Sequence, residues 1–184
     1  MNLLDWYKNG LTKEVYINEM KVNKSEMLGI YDKFSLNEKH RSRLASFKNK
    51  GLKAIVLTED WCGDAMLNNP ILLRIAEEIS MEVRFVLRDS NLELMDQYLT
   101  NGTSRAIPIF IFLNSEGEEI AVWGPRAPKM QELVMEERSK LPSQEDPSFS
   151  EKQAAMYKKL TTSYQETPTY WDTVAESIIE KLNA

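Results

Sequence analysis

The sequence has one cysteine, Cys62, and one histidine, His40. An internal disulfide is therefore excluded, and so is a structural zinc site built from cysteine and histidine, which needs four such ligands. No apolar run approaches the roughly 20 residues that span a bilayer. The opening residues, Met-Asn-Leu-Leu-Asp-Trp, lack the basic-then-apolar pattern of a secretory signal. Positive charge is in the minority: 23 Lys and Arg stand against 28 Asp and Glu, and the formal net charge of −5 repels a phosphate backbone. The one basic stretch, Arg41 to Lys53, reads as a solvated face. The expectation is a cytoplasmic chain with no nucleic-acid or membrane partner, whose lone thiol stays reduced.

What is present suits a globular protein. Of 184 residues, 42% are hydrophobic and 28% charged, enough apolar surface for a core. The length fits one domain with additions. The first fifty residues are predicted helical, with Met27, Ile30, Tyr31 and Phe34 at i, i+3, i+4 and i+7. Ser35 and Glu38 have capping-box spacing. Leu36, His40, Leu44 and Phe47 form a stripe with His40 at its edge. After Gly51 the period changes, and 52–58, Leu-Lys-Ala-Ile-Val-Leu-Thr, predicts a strand buried on both faces.

From Gly63 a helix carries Leu67, Ile71, Ile75 and Ile79 on one face and Pro70 in its interior. A strand over 81–88, a helix over 91–99 and an apolar strand over 107–113 follow. Ser115-Glu116-Gly117 reads as a turn into a returning strand over 118–123, and a helix covers 127–141. A Pro/Ser/acid connection leads to helical patterns near 149–165 and 169–182. Trp171, Val174, Ala175, Ile178 and Leu182 give the last of these an apolar face. The chain divides into a helical part (1–50), an α/β core (51–141) and a second helical part (142–184).

The stretch that can carry chemistry is 58–66, Thr-Glu-Asp-Trp-Cys-Gly-Asp-Ala-Met. A thiolate is the nucleophilic form of cysteine, and free amides at a helix N-terminus lower a thiol's pKa. A lone cysteine in general reads as a small buried hydrophobe. At a strand-to-helix turn after tryptophan, Cys62 is expected to be exposed.

The element order from 52 onward is β-α-β-α-β-β-α. Trp61-Cys62-Gly63-Asp64-Ala65 stands where thioredoxins carry Trp-Cys-Gly-Pro-Cys. Pro70, followed by Ile71-Leu72, is similar to the proline that kinks their active-site helix. Arg105-Ala106-Ile107-Pro108 is similar to the Arg-Gly-Ile-Pro run that ends in their cis-proline, and Gly124 to the glycine bordering their substrate groove. On these residues the chain resembles the thioredoxin family over about 52–140. The resemblance implies an α/β, thioredoxin-like fold: a central mixed sheet with helices on both faces, here with extra N- and C-terminal helices, in a bacterial branch. It implies Cys62 as nucleophile and a groove formed by Trp61, Gly63, Asp64, Ala65, Ile107, Pro108 and Gly124.

Three departures shape the function this implies. Ala65 replaces the resolving cysteine, so Cys62 can attack a disulfide but cannot release the product intramolecularly. Val56 replaces the buried acid six residues before the nucleophile, and Asp64 replaces proline. The expected activity is a monothiol one, on a mixed disulfide between a protein and a low-molecular-weight thiol. A second thiol or a partner protein clears the adduct; the small thiol is a co-substrate, and no cofactor or metal is expected. The alternative is a non-catalytic binding module, or a homodimer, with an inert cysteine. A cysteine-ligated iron–sulfur protein needs ligands from a second chain or a small thiol.

The acids near the sulfur matter in magnitude. A partly buried helix N-terminus favours an anion by up to about 2 kcal/mol. A carboxylate ~5 Å away opposes it by roughly 1 kcal/mol in water and ~3 at an effective dielectric near 20. Glu59, Asp60 and Asp64 can cancel the helix, with Arg105 and Arg126 as the offsetting cations. Asp64 has a plainer reading, since any acid in a first turn stabilises its helix. Trp123, Pro125, Arg126 and Pro128 either line the groove or cap the following helix.

Overall fold

The computed structural model describes residues 2–184. Four short helices come first: α1 (Leu3–Asn9), α2 (Lys13–Glu19), α3 (Lys24–Lys33) and α4 (Glu38–Leu44). The core follows as β1 (Lys53–Thr58), α5 (Gly63–Ile79), β2 (Glu82–Leu87), α6 (Leu92–Met95), β3 (Ile109–Leu113), β4 (Glu119–Trp123) and α7 (Pro128–Ser139). Two long helices close the chain, α8 (Phe149–Glu166) and α9 (Pro168–Leu182). None of the helices among the described residues is long and apolar enough to cross a membrane.

The strands form one sheet in the order β2-β1-β3-β4, with β1 parallel to β2 and antiparallel to β3, and β3 antiparallel to β4. Side chains alternate across a strand, and each central strand feeds two cores. Ala54, Val56, Phe110 and Phe112 face a cluster built with α3, α5, α8 and α9. Ile55, Leu57, Ile109, Ile111 and Leu113 face a smaller cluster with Trp6 and Tyr7 of α1 and Leu94 and Met95 of α6. A strand covered on both faces has no use for alternating polarity, which is why β1 and β3 read as unbroken apolar runs. Helices therefore cover both faces of a mixed sheet.

Two local expectations are corrected. The cap of α4 is Asn37 rather than Ser35. Asn37 Oδ1 accepts the His40 N–H at 2.9 Å, and His40 Nδ1 accepts the Asn37 N–H at 3.4 Å, a capping box two residues later than predicted. Leu36 is drawn into the core before the helix begins, and His40 is buried rather than at a stripe's edge. The helix predicted over 91–99 is a single α-turn, α6. Beyond it Gln97 and Tyr98 donate to Leu94 and Met95, three residues back, so the α ladder is not continued.

Burial lowers the pKa of His40 despite Asp172 and Glu176. Below its ordinary value near 6.5, the unfolded chain takes up this proton before the folded one does. The contribution is thus complete above about pH 6.5 and is lost as pH falls toward the folded value. Urea denaturation should show a steeper loss from neutral to mildly acidic pH for the parent than for His40→Gln, which keeps a capping-box residue. The difference in slope is at most about 1.4 kcal/mol per pH unit for one proton. Equal slopes would remove His40 as the titrating group.

Candidate thiol site

β1 ends at Thr58, and the chain turns through Glu59–Trp61 into α5, whose N-cap is Cys62. The sulfur does the capping: the Ala65 N–H donates to Sγ at 3.4 Å, and the thiol donates to the Ile107 carbonyl at 3.4 Å. Ile107 is joined to Pro108 through a cis bond, and Gly124 to Pro125 through another. Cys62, Ala65 and Ile107 share one cluster under the sheet's second face. Gly124 lies beside them with φ +131° and so little room that an added Cβ would meet the Pro108 carbonyl oxygen at 2.3 Å.

Cys62 is not exposed, contrary to expectation; its relative exposure is 8%. The cover comes from α8, on the far side of the sequence from the sulfur. Tyr157, Leu160, Thr161 and Tyr164 form a wall with Val134 of α7, and with Trp61, Cys62, Gly63, Asp64 and Arg126 they enclose a cavity of about 360 Å³. α8 sits so close that a Cβ at Gly63 would lie 2.6 Å from Thr161 Cγ2. Glycine at this position makes room for the protein's own helix. Trp61 stands half exposed at the rim, with the Arg88 guanidinium 4.9 Å from its ring centroid.

Of the three nearby acids, only Asp64 reaches the sulfur's surroundings. Glu59 accepts the Asp89 N–H at 2.8 Å, and Asp60 accepts the Lys21 and Val22 amides at 2.7 and 3.2 Å, which ties the N-terminal helices to the site's outer rim. A larger concavity of about 490 Å³ beside α2 is lined by these two spent carboxylates with Glu19 and Lys21, and holds no thiol. Asp64 pairs with Arg126 at 2.6 Å, both side chains being only 14% exposed, and also accepts the Tyr164 hydroxyl at 3.3 Å. Arg126 donates further to Gln131 at 2.8 Å. Arg105 does not face the site; it pairs with Asp96. Trp123 is not a groove residue either, since its indole donates to Ser177 of α9 at 2.9 Å, and Pro128 starts α7.

Burial, with Asp64 beside it, pushes the Cys62 thiol up to about 11, against the amides of Ala65 and Asp64 and the charge of Arg126. The resting sulfur is a neutral thiol, because desolvation outweighs the helix terminus. Burial and Asp64 likewise raise Tyr164 above its ordinary range, so its hydroxyl stays a donor. The wall from α8 escaped the sequence reading, although 157, 160, 161 and 164 have the i, i+3, i+4, i+7 spacing of one helix face. No group of three or more His, Cys, Asp or Glu among the described residues is placed to hold a metal.

A mixed sheet with helices on both faces, and a sulfur capping the helix after the first strand opposite an Ile–Pro carbonyl, define a thioredoxin-like protein. The thioredoxin family model matches residues 10–140, and the chain belongs to that family. Among solved structures, a protein of unknown function from Pseudomonas aeruginosa, PA1234, is similar over 97% of both chains at 15% identity and a TM-score of 0.67. An HIV epitope-scaffold is similar over 100% of this chain and 98% of its own at 12% identity and a TM-score of 0.70. A Fasciola hepatica thioredoxin shares 25% identity over 52% of this chain and 88% of its own, with a TM-score of 0.34. The first two show the fold. No curated protein matches.

Proposed function

We propose that this thioredoxin-family protein carries out thiol–disulfide exchange through one sulfur, Cys62, by a monothiol route. The observation that carries this reading is the position of Sγ. It takes an amide of the first turn of α5 and faces the Ile107 carbonyl, and its residue lines a cavity large enough for a small reactant. Ala65 leaves no second thiol to resolve the product, so a small thiol or a partner protein must supply it. Trp61 and the backbone of Ile107 border the reacting atom.

The neutral resting thiol sets the rate. With a pKa near 11, the thiolate fraction at pH 7 is about 300-fold below that of free cysteine. The higher nucleophilicity of a more basic thiolate returns about tenfold. Native Cys62 is therefore expected to alkylate about 30-fold more slowly than free cysteine at neutral pH. The measurement is iodoacetamide labelling across a pH series, read by mass spectrometry. The rate should climb about tenfold per pH unit past the free-cysteine midpoint of ~8.5, which reappears in urea.

A second reading is favoured by the burial of that same sulfur under α8. In it the fold is a binding module and Cys62 an inert core residue. A native protein that fails to label at alkaline pH, while its urea-unfolded form labels fully, would establish that reading and end the first.

A further inference from the structure

The exchange site is roofed, and the roof limits what can reach the sulfur. Resting on the exchange reading above, we propose that the substrates of Cys62 are small uncharged disulfides, and that polypeptide and anionic disulfides are excluded.

Size is the first argument. A polypeptide substrate in the extended form needs a strand's width, about 4.8 Å, alongside the Ile107 backbone. α8 occupies the approach over the first turn of α5. Thr161 fills the space over Gly63, and Leu160 and Tyr164 are buried to 4% and 2% exposure. The end of α8 is held by the Trp171 indole, which donates to the Tyr164 carbonyl at 2.7 Å. What remains is the cavity of about 360 Å³, near the lower end of the roughly 300–1,000 Å³ typical of small-molecule sites.

Charge is the second argument. The cavity walls are mainly aromatic and aliphatic, and among the described residues lining it Arg126 is the one cation. That cation is already spent on Asp64 at 2.6 Å. A carboxylate entering the cavity loses its water without gaining a partner.

In the step itself Cys62 loses its thiol proton to solvent, and Sγ attacks one sulfur of R–S–S–R. The Sγ–S bond forms as the S–S bond breaks, and the departing R–S⁻ takes up a proton. The Cys62 sulfur is oxidised to the disulfide level and the departing sulfur is reduced to a thiol, so no other oxidant enters.

The test incubates the native full-length protein at mildly alkaline pH with bis(2-hydroxyethyl) disulfide, oxidised glutathione or a disulfide-linked peptide. The Cys62 adduct is followed by mass spectrometry, and each rate is divided by that of the same reagent with the urea-unfolded protein. The neutral small disulfide is expected to react about tenfold or more faster than either of the others. Tyr157→Ala trims a half-exposed residue of the cavity wall and should raise the peptide's relative rate about fivefold, a larger gain than for the small disulfide. A peptide or glutathione rate equal to the neutral one, or a peptide rate unmoved by Tyr157→Ala, overturns this proposal and leaves the exchange reading intact. Failure of all three disulfides in a protein that iodoacetamide labels overturns the exchange reading together with the proposal.

Discussion

Gly124→Ala is expected to lose about 3 kcal/mol of folding stability or more, a large part of the 5–15 typical of a domain. Two causes add. The residue sits at φ +131°, a conformation that L side chains rarely adopt, and the new Cβ would lie 2.3 Å from the Pro108 carbonyl oxygen and 3.2 Å from Ile109 Cα. Both obstacles are backbone. Ile109 pairs with Leu57 in the middle of the sheet, so neither can step aside cheaply. Gly102 is the control: it too has positive φ, +71°, yet nothing lies within 4 Å of its Cβ position. Gly102→Ala should cost only about 1 kcal/mol. Urea midpoints of the two variants decide the matter. Equal losses would mean that the contact with Pro108 contributes nothing.

Arg126→Met is the second large effect. It removes the cation from an ion pair whose members are each 14% exposed and leaves Asp64 buried with only the Tyr164 hydroxyl and no opposite charge. A loss of about 3 kcal/mol is expected, and the double variant Asp64→Leu/Arg126→Met should recover most of it, because no lone charge then stays buried. The thiol provides an independent readout. Asp64 raises the Cys62 pKa and Arg126 lowers it. Asp64→Asn removes the anion and frees the cation, so the alkylation midpoint should fall from about 11 by roughly one unit or more. Arg126→Met should move it upward. If Asp64→Asn leaves the midpoint in place, burial alone sets the thiol's state and the ion pair serves only the fold.

Both variants act at residues that the sequence brought forward for other reasons. Gly124 stood out by resemblance, as a groove glycine, while its crowding against Pro108 belongs to the packed sheet. Arg126 was one of two candidate cations, and the choice between it and Arg105 depended on where Asp96 lies, since Asp96 holds Arg105 away. Glu59 and Asp60 looked alike on paper. In the fold each is committed to backbone amides of another segment, and Asp64 alone is left to act on the sulfur.

The order of strands and helices, the placing of Cys62 at a helix start, the two-faced burial of β1 and the apolar run of β3 were written in local period and punctuation. Those signals arise from neighbours a few residues apart, where a 2.0 or 3.6 repeat decides which side chains share a face. The state of the thiol was not. The roof over it comes from α8, and the Tyr164 hydroxyl meets Asp64 across 100 positions of chain. Desolvation depends on everything that excludes water from an atom, whatever its place in the sequence. A helix N-terminus lowers a thiol's pKa and nearby acids raise it, so local sequence left the sulfur's charge open; burial, with Asp64 beside it, made it a neutral thiol.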